Sequence, residues 1–450
     1  MVSPSGWMSD GSPLRPSPSI FDSPYTHSMP VLPTSDTHCT VMGLGRFGGG
    51  QGVTQWLLKQ GCQICLTDLA SDSQLQDAMK PLLPACGTGQ LRTVFGRHDE
   101  SDFQNTDLVL ANPAVPTPWN NPYLMAAREA GVPITTEIRL LTERLDRNRV
   151  IGVTGTNGKS TTASMIHHAM RALGIPCLLG GNIGGSLLPR INEIDREHWI
   201  VLELSSAMLW WLGDEAGEGW SPGTAVTTNI APNHLDWHET ETHYRRCKQN
   251  ITRFQSTGDT NFTGAEVPDQ DISLIIPGRH NQANAALASQ VVAELGGVTL
   301  PNAAQALHDF PGLPHRLQAV DLQGRIFNDS KATTPEATLL AVEALGPGRN
   351  HIHLIAGGYD KGVSLLQIAG LAADLGGLYT IGSTGPALNE AAGDRSRNCG
   401  TLEVAVKSAF ESMKEGDVLL LSPGCASWDQ FPHFEARGEA FMSLIHDQQG

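Results

Sequence analysis

The stretch Val150-Ile-Gly-Val-Thr-Gly-Thr-Asn-Gly-Lys-Ser-Thr-Thr162 has the pattern of a buried strand that runs through a glycine turn into a helix. The β-branched residues favour a strand, and the glycines let backbone N–H groups point at an anion at the helix N-terminus. Lys159 adds a positive charge, and Ser160 offers a hydroxyl for Mg²⁺. The general phosphate-loop pattern has a glycine where this chain has Val153, so the loop is a shorter variant. The alternative, a tight turn with a solvated lysine, leaves the register of these features unexplained.

The composition is that of a large globular protein. With 450 residues, 40% of them hydrophobic, the chain is too long for one core and is expected to form two or three domains. A formal net charge of −16 argues against a general nucleic-acid-binding protein, because phosphate contacts need clustered Lys and Arg. The eight cysteines are scattered, and we expect reduced thiols. No window has the apolar length of a membrane span and no signal peptide is evident, so we expect a cytoplasmic protein.

The N-terminal part of the chain changes character near residue 37. Residues 1–36 are rich in Ser and Pro and lack apolar periodicity, so we expect a disordered tail. A short strand, the glycine turn Gly43–Gly48 and a helix follow, and a second strand ends at Asp68, which is typical of a nucleotide-binding sheet. A lone GxGxxG is a weak signal, and the glycines could serve helix packing alone. We do not infer NAD, since no second half of a dinucleotide fold follows.

The segment after the phosphate loop places polar residues at the ends of predicted parallel strands. Glu203 is near the end of an apolar strand, where a carboxylate can reach Mg²⁺ directly or through water. His234 follows the predicted strand 225–230 on the same edge of the sheet. The alternatives are a solvated glutamate and a structural histidine. The proline-rich connector 310–316 indicates a domain boundary or hinge near residue 313.

The last part of the chain contains three more strands that each end in Gly, Ser, Asp or Lys. Their shared edge is expected to be a second binding surface. The sequence therefore predicts an α/β protein of three domains. These are a Rossmann-like domain over residues 37–141, a central P-loop ATPase-type sheet over residues 142–313 and a C-terminal Rossmann-like domain over residues 314–450.

Eight short motifs occur between residues 39 and 445. They are Gly155-Thr-Asn-Gly-Lys-Ser-Thr161, Gly181-Asn-Ile-Gly184, Glu203-Leu-Ser-Ser206, Asn233-His-Leu-Asp236, His280-Asn-Gln-Ala-Asn284, Leu313-Pro-His-Arg316, Asn328-Asp-Ser-Lys-Ala-Thr333 and Ser422-Pro-Gly-Cys-Ala-Ser427. Together they resemble the Mur ligase family, ATP-dependent amide-forming enzymes of peptidoglycan assembly. The last two motifs are similar to those of members that add D-glutamate to UDP-N-acetylmuramoyl-L-alanine.

The resemblance implies a reaction and a set of partners. ATP phosphorylates the carboxylate of the UDP-linked substrate, and the amine of D-glutamate attacks the acyl phosphate through a tetrahedral intermediate. Two Mg²⁺ sites would be needed. The implied enzyme is a cytoplasmic monomer of precursor synthesis that binds small molecules, and neither nucleic acid nor a membrane is an expected partner.

The resemblance also assigns roles to individual residues. The residues for ATP are Gly155, Thr156, Asn157, Gly158, Lys159, Ser160, Thr161, Asn284, Arg316 and Asp329. The metal ligands are Ser160, Glu203, His234 and Lys248. The substrate residues are Gly96 and Asn182 for the UDP-linked substrate and Thr333, Lys361, Ser427 and Phe434 for D-glutamate. The catalytic set is Lys159, His234, Lys248 and Lys331, with Lys331 stabilising charge at the reacting phosphate and carboxylate.

Lys248 is the least intuitive of these assignments, since the resemblance implies that it is carbamylated. An ammonium about 4 Å from Mg²⁺ would be repelled by roughly 8 kcal/mol at an effective dielectric near 20. Carbamylation reverses the sign of the charge and supplies oxygen ligands, which Mg²⁺ prefers. The alternative for Lys248 alone is an exposed lysine on a helix.

Some positions depart from the family pattern. Met208 stands where a glutamine is usual, Asn233 where an aspartate precedes the histidine, and Arg46 and Phe47 replace small polar residues in the first glycine turn. Met208 and Asn233 favour one alternative, a nucleotide-binding regulator that has lost catalysis. Another alternative is a different Mur-type or folylpolyglutamate-like ligase with another amino-acid acceptor. The charged groups that the reaction needs are all retained, which favours an active ligase.

Overall fold

The computed structural model describes residues 33–35, 37–45, 48–231, 235–267, 271–346 and 348–449. Most of the predicted disordered tail, residues 1–36, therefore lies outside the described residues, as do Arg46, Phe47, Asn233 and His234. At the near end of that segment, the Thr34 carbonyl accepts a hydrogen bond from Cys62 Sγ at 3.3 Å. Among the helices that the structure describes, none combines the length and apolarity that a membrane crossing requires.

The first sheet is parallel throughout, in the order β3-β2-β1-β4-β5. Its strands are β1 His38–Met42, β2 Gln63–Asp68, β3 Leu91–Phe95, β4 Leu108–Ala111 and β5 Ile134–Thr135. The accompanying helices are α1 Gly49–Lys59, α2 Asp72–Met79, α3 Leu83–Gly87, α4 Glu100–Gln104, α5 Pro122–Glu129 and α6 Glu137–Thr142. The apolar strand β4 is buried along its whole length, as expected for a parallel sheet covered on both faces.

The central sheet is also parallel, in the order β10-β9-β6-β8-β7. Its strands are β6 Val150–Thr154, β7 Cys177–Gly181, β8 Trp199–Glu203, β9 Thr224–Thr227 and β10 Thr260–Thr263. Its helices are α7 Lys159–Ala172, α8 Ser206–Trp211, α9 Leu235–His238, α10 Glu241–Arg253, α11 Arg279–Gly296 and α12 Leu300–Gln305. Strand β6, which forms the first part of the phosphate-binding stretch 150–162, lies in the middle of this sheet. The phosphate loop therefore begins at the centre of the sheet.

The prediction of a strand over residues 225–230 is wrong at its C-terminal end. The ladder of β9 stops at Thr227, because the next residues bond to the phosphate loop instead. The Asn229 carbonyl accepts from Thr156 N at 2.7 Å, and Thr228 Oγ1 donates to the carbonyl of Asn157. Tertiary hydrogen bonding therefore overrides the local preference for a strand.

The third sheet has the order β11-β12-β16-β13-β14-β15, with β11 antiparallel to β12 and the other pairs parallel. Its strands are β11 Gln318–Ala319, β12 Ile326–Asn328, β13 Ile352–Gly357, β14 Gly377–Ile381, β15 Ser396–Gly400 and β16 Val418–Leu421. Its helices are α13 Pro335–Ala344, α14 Leu366–Leu371, α15 Gly385–Ala392, α16 Leu402–Ser412 and α17 Phe434–Gln449. The predicted α/β fold built on three sheets is confirmed.

Apolar packing is continuous between neighbouring sheets. One buried cluster includes Val41 of the first sheet and Leu202 of the central sheet, and another includes Val153 of the central sheet and Leu354 of the third. The connector before β11 is also constrained, since His315 has a positive φ of 60° although it is not glycine. The carboxyl ends of the central strands therefore lie against the loops of the third sheet, which is where the site forms.

Candidate active site

The phosphate loop joins β6 to α7 through two glycines that no other residue can replace without displacement. Gly158 has a φ of 79°, and a Cβ added to it would lie 2.5 Å from Asn284 Oδ1. A Cβ on Gly155, whose φ is 146°, would lie 1.9 Å from Thr228 Oγ1. Within the described residues no side chain caps the N-terminus of α7, so its first N–H groups remain available to an anion.

Neighbouring segments hold the loop from one side. Thr156 Oγ1 donates to the Ala231 carbonyl at 2.9 Å and lies 2.8 Å from the Tyr244 hydroxyl. Asn229 Oδ1 accepts from Asn157 N at 3.1 Å. Lys159 Nζ donates to the Thr156 carbonyl at 2.8 Å, so the lysine folds back over the loop. Ser160 and Thr161 follow in the first turn of α7, and Thr161 lines the cavity described below.

A buried carboxylate and two lysines meet beside this loop. Glu203 is 1% exposed; its Oε1 accepts from Asn182 Nδ2 at 2.9 Å, whereas Oε2 has no hydrogen-bond partner among the described residues. Lys248 is 2% exposed and donates to Thr154 Oγ1 at 3.2 Å. An unpaired buried carboxylate oxygen is costly, and it suits a hard cation such as Mg²⁺.

The electrostatics of the two lysines reflect this crowding. Burial, reinforced by the charge of Lys159, lowers the pKa of Lys248 from its ordinary 10.5 to about 7. Burial also lowers the pKa of Lys159, and the Glu203 carboxylate opposes that effect. The side chain of Lys248 is thus partly neutral near pH 7, unlike that of an exposed lysine on a helix. Of the other two predicted metal ligands, Ser160 is the second residue of α7, and His234 lies outside the described residues.

A cavity of about 710 Å³ lies between the central and third sheets. Its lining includes six of the residues predicted to bind ATP, which are Asn157, Gly158, Thr161, Asn284, Arg316 and Asp329. Lys331 lines it as well. Its apolar wall includes Ile276, Leu287, Leu313, Leu317 and Leu340. A mostly apolar cavity with a few convergent polar groups is typical of a nucleotide site.

Two charged groups of the third sheet border this cavity. Asp329 accepts from Ser422 Oγ at 2.8 Å and from Leu317 N at 3.2 Å, and burial raises its pKa to about 6. Lys331 lies with Nζ 5.3 Å from the centre of the Phe434 ring, and burial lowers its pKa, assisted by the charge of Arg316. The structure therefore brings Arg316, Asp329 and Lys331 to the cavity that Asn157 and Gly158 of the phosphate loop also line.

The residues predicted for D-glutamate lie at the adjoining loops of the third sheet. Ser427 is buried, Lys361 is exposed with Nζ 5.0 Å above the Trp428 ring, and Phe434 begins α17. Thr333 is half-buried just before α13. Sequence reasoning missed Arg437, which is buried beneath these loops, because a lone arginine in a helix of mixed composition carries no signal of burial.

The residues predicted for the UDP-linked substrate are separated from one another. Asn182 contacts Glu203, whereas Gly96 follows β3 in the first sheet and donates its N–H to the Ala70 carbonyl at 3.0 Å. The Asp68 carboxylate accepts hydrogen bonds from the backbone N–H groups of Leu44 and Ala70, both at 2.8 Å. Leu44 belongs to the first glycine turn, so this carboxylate is already engaged by the turn. Asp68 is therefore a structural partner of that turn.

Three potential metal ligands outside this site also lie together. One ring nitrogen each of His238 and His243 and the sulfur of Cys247 lie within 4.8 Å of one another. His243 nevertheless meets its two neighbours with different nitrogens. Its Nδ1 is 3.3 Å from His238 Nδ1, and its Nε2 is 3.5 Å from Cys247 Sγ. The three side chains form a hydrogen-bonded row rather than a converging cage.

Comparison with known proteins gives consistent matches. The profile of the Mur ligase middle domain matches residues 153–268, and that of the Mur ligase, glutamate ligase domain matches residues 315–425. UDP-N-acetylmuramoylalanine--D-glutamate ligase of Geobacillus kaustophilus is 33% identical, over 91% of this chain and 98% of that protein. The protein of the same name from Bacillus subtilis is 31% identical, over 91% and 97%. The crystal structure of UDP-N-acetylmuramate-alanine ligase from Thermotoga maritima shares the fold, with a TM-score of 0.52 at 18% identity over 92% of this chain and all of that one.

Proposed function

This chain belongs to the Mur ligase family, and from that premise we propose that it joins D-glutamate to UDP-N-acetylmuramoyl-L-alanine with cleavage of ATP to ADP and phosphate. The Geobacillus kaustophilus and Bacillus subtilis relatives match over nearly their whole length, and both are named as D-glutamate ligases. This argues against the alternatives of another acceptor or a regulator without catalysis. The observation that carries the proposal is the closeness of two groups of charged residues. Arg316, Asp329 and Lys331 line the cavity. Lys159, Glu203 and Lys248 interact electrostatically with one another, and Lys159 and Glu203 also interact with Arg316 and Lys331 respectively.

We assign the nucleotide to the cavity between the central and third sheets. The N–H groups of the phosphate loop and the Lys159 ammonium bind the phosphates, and Arg316 adds a second cation. Asn284 faces the base and Asp329 the ribose. The apolar wall of the cavity excludes water from the base. The central domain, residues 142–313, supplies one side of this nucleotide site, and the C-terminal domain, residues 314–450, supplies the other side.

The metal site rests on the chemistry of its donors. Ser160 and Glu203 would hold one Mg²⁺, and His234 and Lys248 the second; bound Mg²⁺ would offset the charge of the phosphates. The unpaired Glu203 Oε2 fits the first ion. Lys248 fits the second only as a carbamate. Its lowered pKa supports that modification, because only the neutral amine can attack CO₂, forming an N–C bond and losing a proton.

The chemical step follows from which charges surround the reacting groups. Asn182 positions the muramoyl-alanine part of the substrate, and Gly96 contacts the uridine nucleotide. A carboxylate oxygen of that substrate attacks the terminal phosphorus of ATP, the bond from this phosphorus to the bridging oxygen breaks, and ADP leaves. The D-glutamate amine then attacks the acyl carbon and phosphate leaves. Lys331 stabilises the negative charge that develops on the tetrahedral oxygen. Thr333, Lys361, Ser427 and Phe434 bind the acceptor, with Lys361 and hydroxyl groups suited to its carboxylates.

We expect a cytoplasmic monomer.

Phosphate release tests this proposal. Purified protein is given ATP, Mg²⁺ and UDP-N-acetylmuramoyl-L-alanine together with D-glutamate, L-glutamate, glycine, L-alanine, L-lysine or meso-diaminopimelate. Release that depends on D-glutamate is expected, as is its loss in Lys159→Ala but not in Lys407→Ala, which removes an exposed lysine of α16. Release with a different acceptor would disprove the assigned specificity. No release with any acceptor would disprove the activity itself.

A further inference from the structure

Arg437 is a fully buried arginine in the first turns of α17, 1% exposed. Its Nε donates to Ser330 Oγ at 3.0 Å, one terminal nitrogen donates to the carbonyls of Ser330 and Cys425 at 2.8 and 3.0 Å, and the other donates to the Ala426 carbonyl at 3.2 Å. All four acceptors are neutral. The guanidinium therefore bonds to the main chain of two separate loops.

Burying this charge is costly unless each donor is satisfied, so the acceptors must occupy fixed positions around the planar guanidinium. Burial lowers the pKa of Arg437 to about 10, and the group stays protonated at neutral pH. A lysine at this position would keep the charge but not the planar fork, and so could not reach all four acceptors.

The loops that Arg437 joins carry the predicted acceptor residues. Ser330 precedes Lys331, and its Oγ donates to the Phe434 carbonyl at 2.8 Å. Ala426 precedes Ser427, and its carbonyl also accepts from Tyr359 N at 2.9 Å.

A third loop, which leads to Lys361, packs on the same group. A Cβ added to Gly358 would lie 3.2 Å from a terminal nitrogen of Arg437 and 2.4 Å from the Ala426 carbonyl oxygen. One guanidinium thus bonds to the loops of Ser330 and Ala426 and lies beside the loop of Gly358.

We propose that Arg437 is a positioning residue that holds these three loops in one arrangement and thereby sets the affinity for the amino-acid acceptor. The inference rests on the proposed function, since the acceptor is taken to be D-glutamate. Arg437 does not touch substrate. It acts through Ser330, Cys425 and Ala426, whose neighbours Lys331 and Ser427 face the site.

The test compares Arg437→Lys with Arg139→Lys. Arg139 is a matched control because it is also buried and also donates to main-chain carbonyls, those of Trp211 and Glu218, away from the third sheet. Two reactions are measured in each variant. The first is amide formation as a function of D-glutamate concentration. The second uses hydroxylamine, which attacks the acyl phosphate to give a hydroxamate and phosphate and needs no amino-acid pocket.

We expect Arg437→Lys to raise KM for D-glutamate about tenfold, while hydroxamate formation stays within about threefold of that of the unmodified protein. Arg139→Lys is expected to lower the melting temperature comparably without changing that KM. If Arg437→Lys reduces both reactions equally at an unchanged KM, its role is merely structural and the inference is wrong.

Two further outcomes keep the test decisive. If Arg437→Lys does not fold, Ser330→Ala removes one acceptor only and is expected to raise KM for D-glutamate about threefold, and an unchanged KM there would overturn the inference. If the unmodified protein forms hydroxamate but no product with D-glutamate, the proposed function fails, and the acceptor named for Arg437 fails with it. A raised KM for D-glutamate that is confined to the variants, with normal product formation by the unmodified protein, supports both the proposed function and the role of Arg437.

Discussion

The edges of the central and third sheets both carry buried charges, but they satisfy them differently. At the central edge, Glu203 Oε2 has no partner among the described residues and burial lowers the pKa of Lys248 to about 7. At the third edge, both oxygens of Asp329 accept hydrogen bonds and Arg437 donates four. Unsatisfied charge is costly to a fold, so we infer that the central edge is completed by its ligands, whereas the third edge is built in advance.

This difference predicts that changes at the central edge reduce activity without reducing stability. Glu203→Gln keeps the size of the side chain and an oxygen for Asn182, but removes a buried charge. We expect activity to fall about 100-fold or more, since the cation site is lost, while the melting temperature stays equal or rises. Steady-state kinetics and thermal unfolding measure the two effects. Glu197→Gln, at an exposed carboxylate, is the control; a large loss of stability in Glu203→Gln would contradict the comparison.

The two ends of α7 allow a closer test. Gly158 in the phosphate loop and Gly174 after the helix have similar backbone conformations but different surroundings. Gly158 has a φ of 79° and a Cβ there would meet Asn284, whereas Gly174 has a φ of 73° with nothing within 4 Å. Alanine at either position should reduce the free energy of unfolding by about 1 kcal/mol through backbone strain. Only Gly158→Ala should also raise KM for ATP, by about tenfold. An equal effect of both variants on that KM would show that strain alone is responsible.

A further prediction concerns the stability rather than the activity, and involves Asp329 at the third edge. Burial raises its pKa from 3.8 to about 6, so the folded state holds this proton more tightly than the unfolded state does. The free energy of unfolding should therefore fall as the pH rises from about 4 to about 6, by about 2 kcal/mol from this group. Asp329→Asn should remove that part of the pH dependence. Denaturant unfolding at pH 4.5 and pH 7 measures the free energy of unfolding in both proteins. If this free energy changes by the same amount between the two pH values in Asp329→Asn as in the unmodified protein, Asp329 is not the source.

The fold was largely predictable because strand and helix patterns are local. The glycine turn after β6 and the apolar strand that ends at Glu203 could be identified without a structure. The strand expected over residues 225–230 stops early because Asn229 bonds to the phosphate loop, a contact between distant parts of the chain. Such pairings depend on tertiary position, which a single sequence does not reveal.

Individual site residues were less accessible to sequence reasoning. Asp68 ends a strand that is typical of a nucleotide-binding sheet, yet its oxygens accept hydrogen bonds from the backbone N–H groups of Leu44 and Ala70. Arg437 has no motif, and its importance depends on the direction of one side chain beneath three loops. The roles proposed for Lys248 and Lys331 came from the resemblance rather than from spacing. Their closeness to the phosphate loop is a result of the structure.

The most direct test of the account follows an oxygen atom. UDP-N-acetylmuramoyl-L-alanine labelled with ¹⁸O in its carboxylate is incubated with the protein, ATP, Mg²⁺ and D-glutamate, and the phosphate and the amide product are analysed by mass spectrometry. If the carboxylate is phosphorylated and the amine then displaces phosphate, one ¹⁸O atom appears in each phosphate released, with one amide formed. Unlabelled phosphate, or labelled phosphate without an amide that contains D-glutamate, would contradict the proposed reaction.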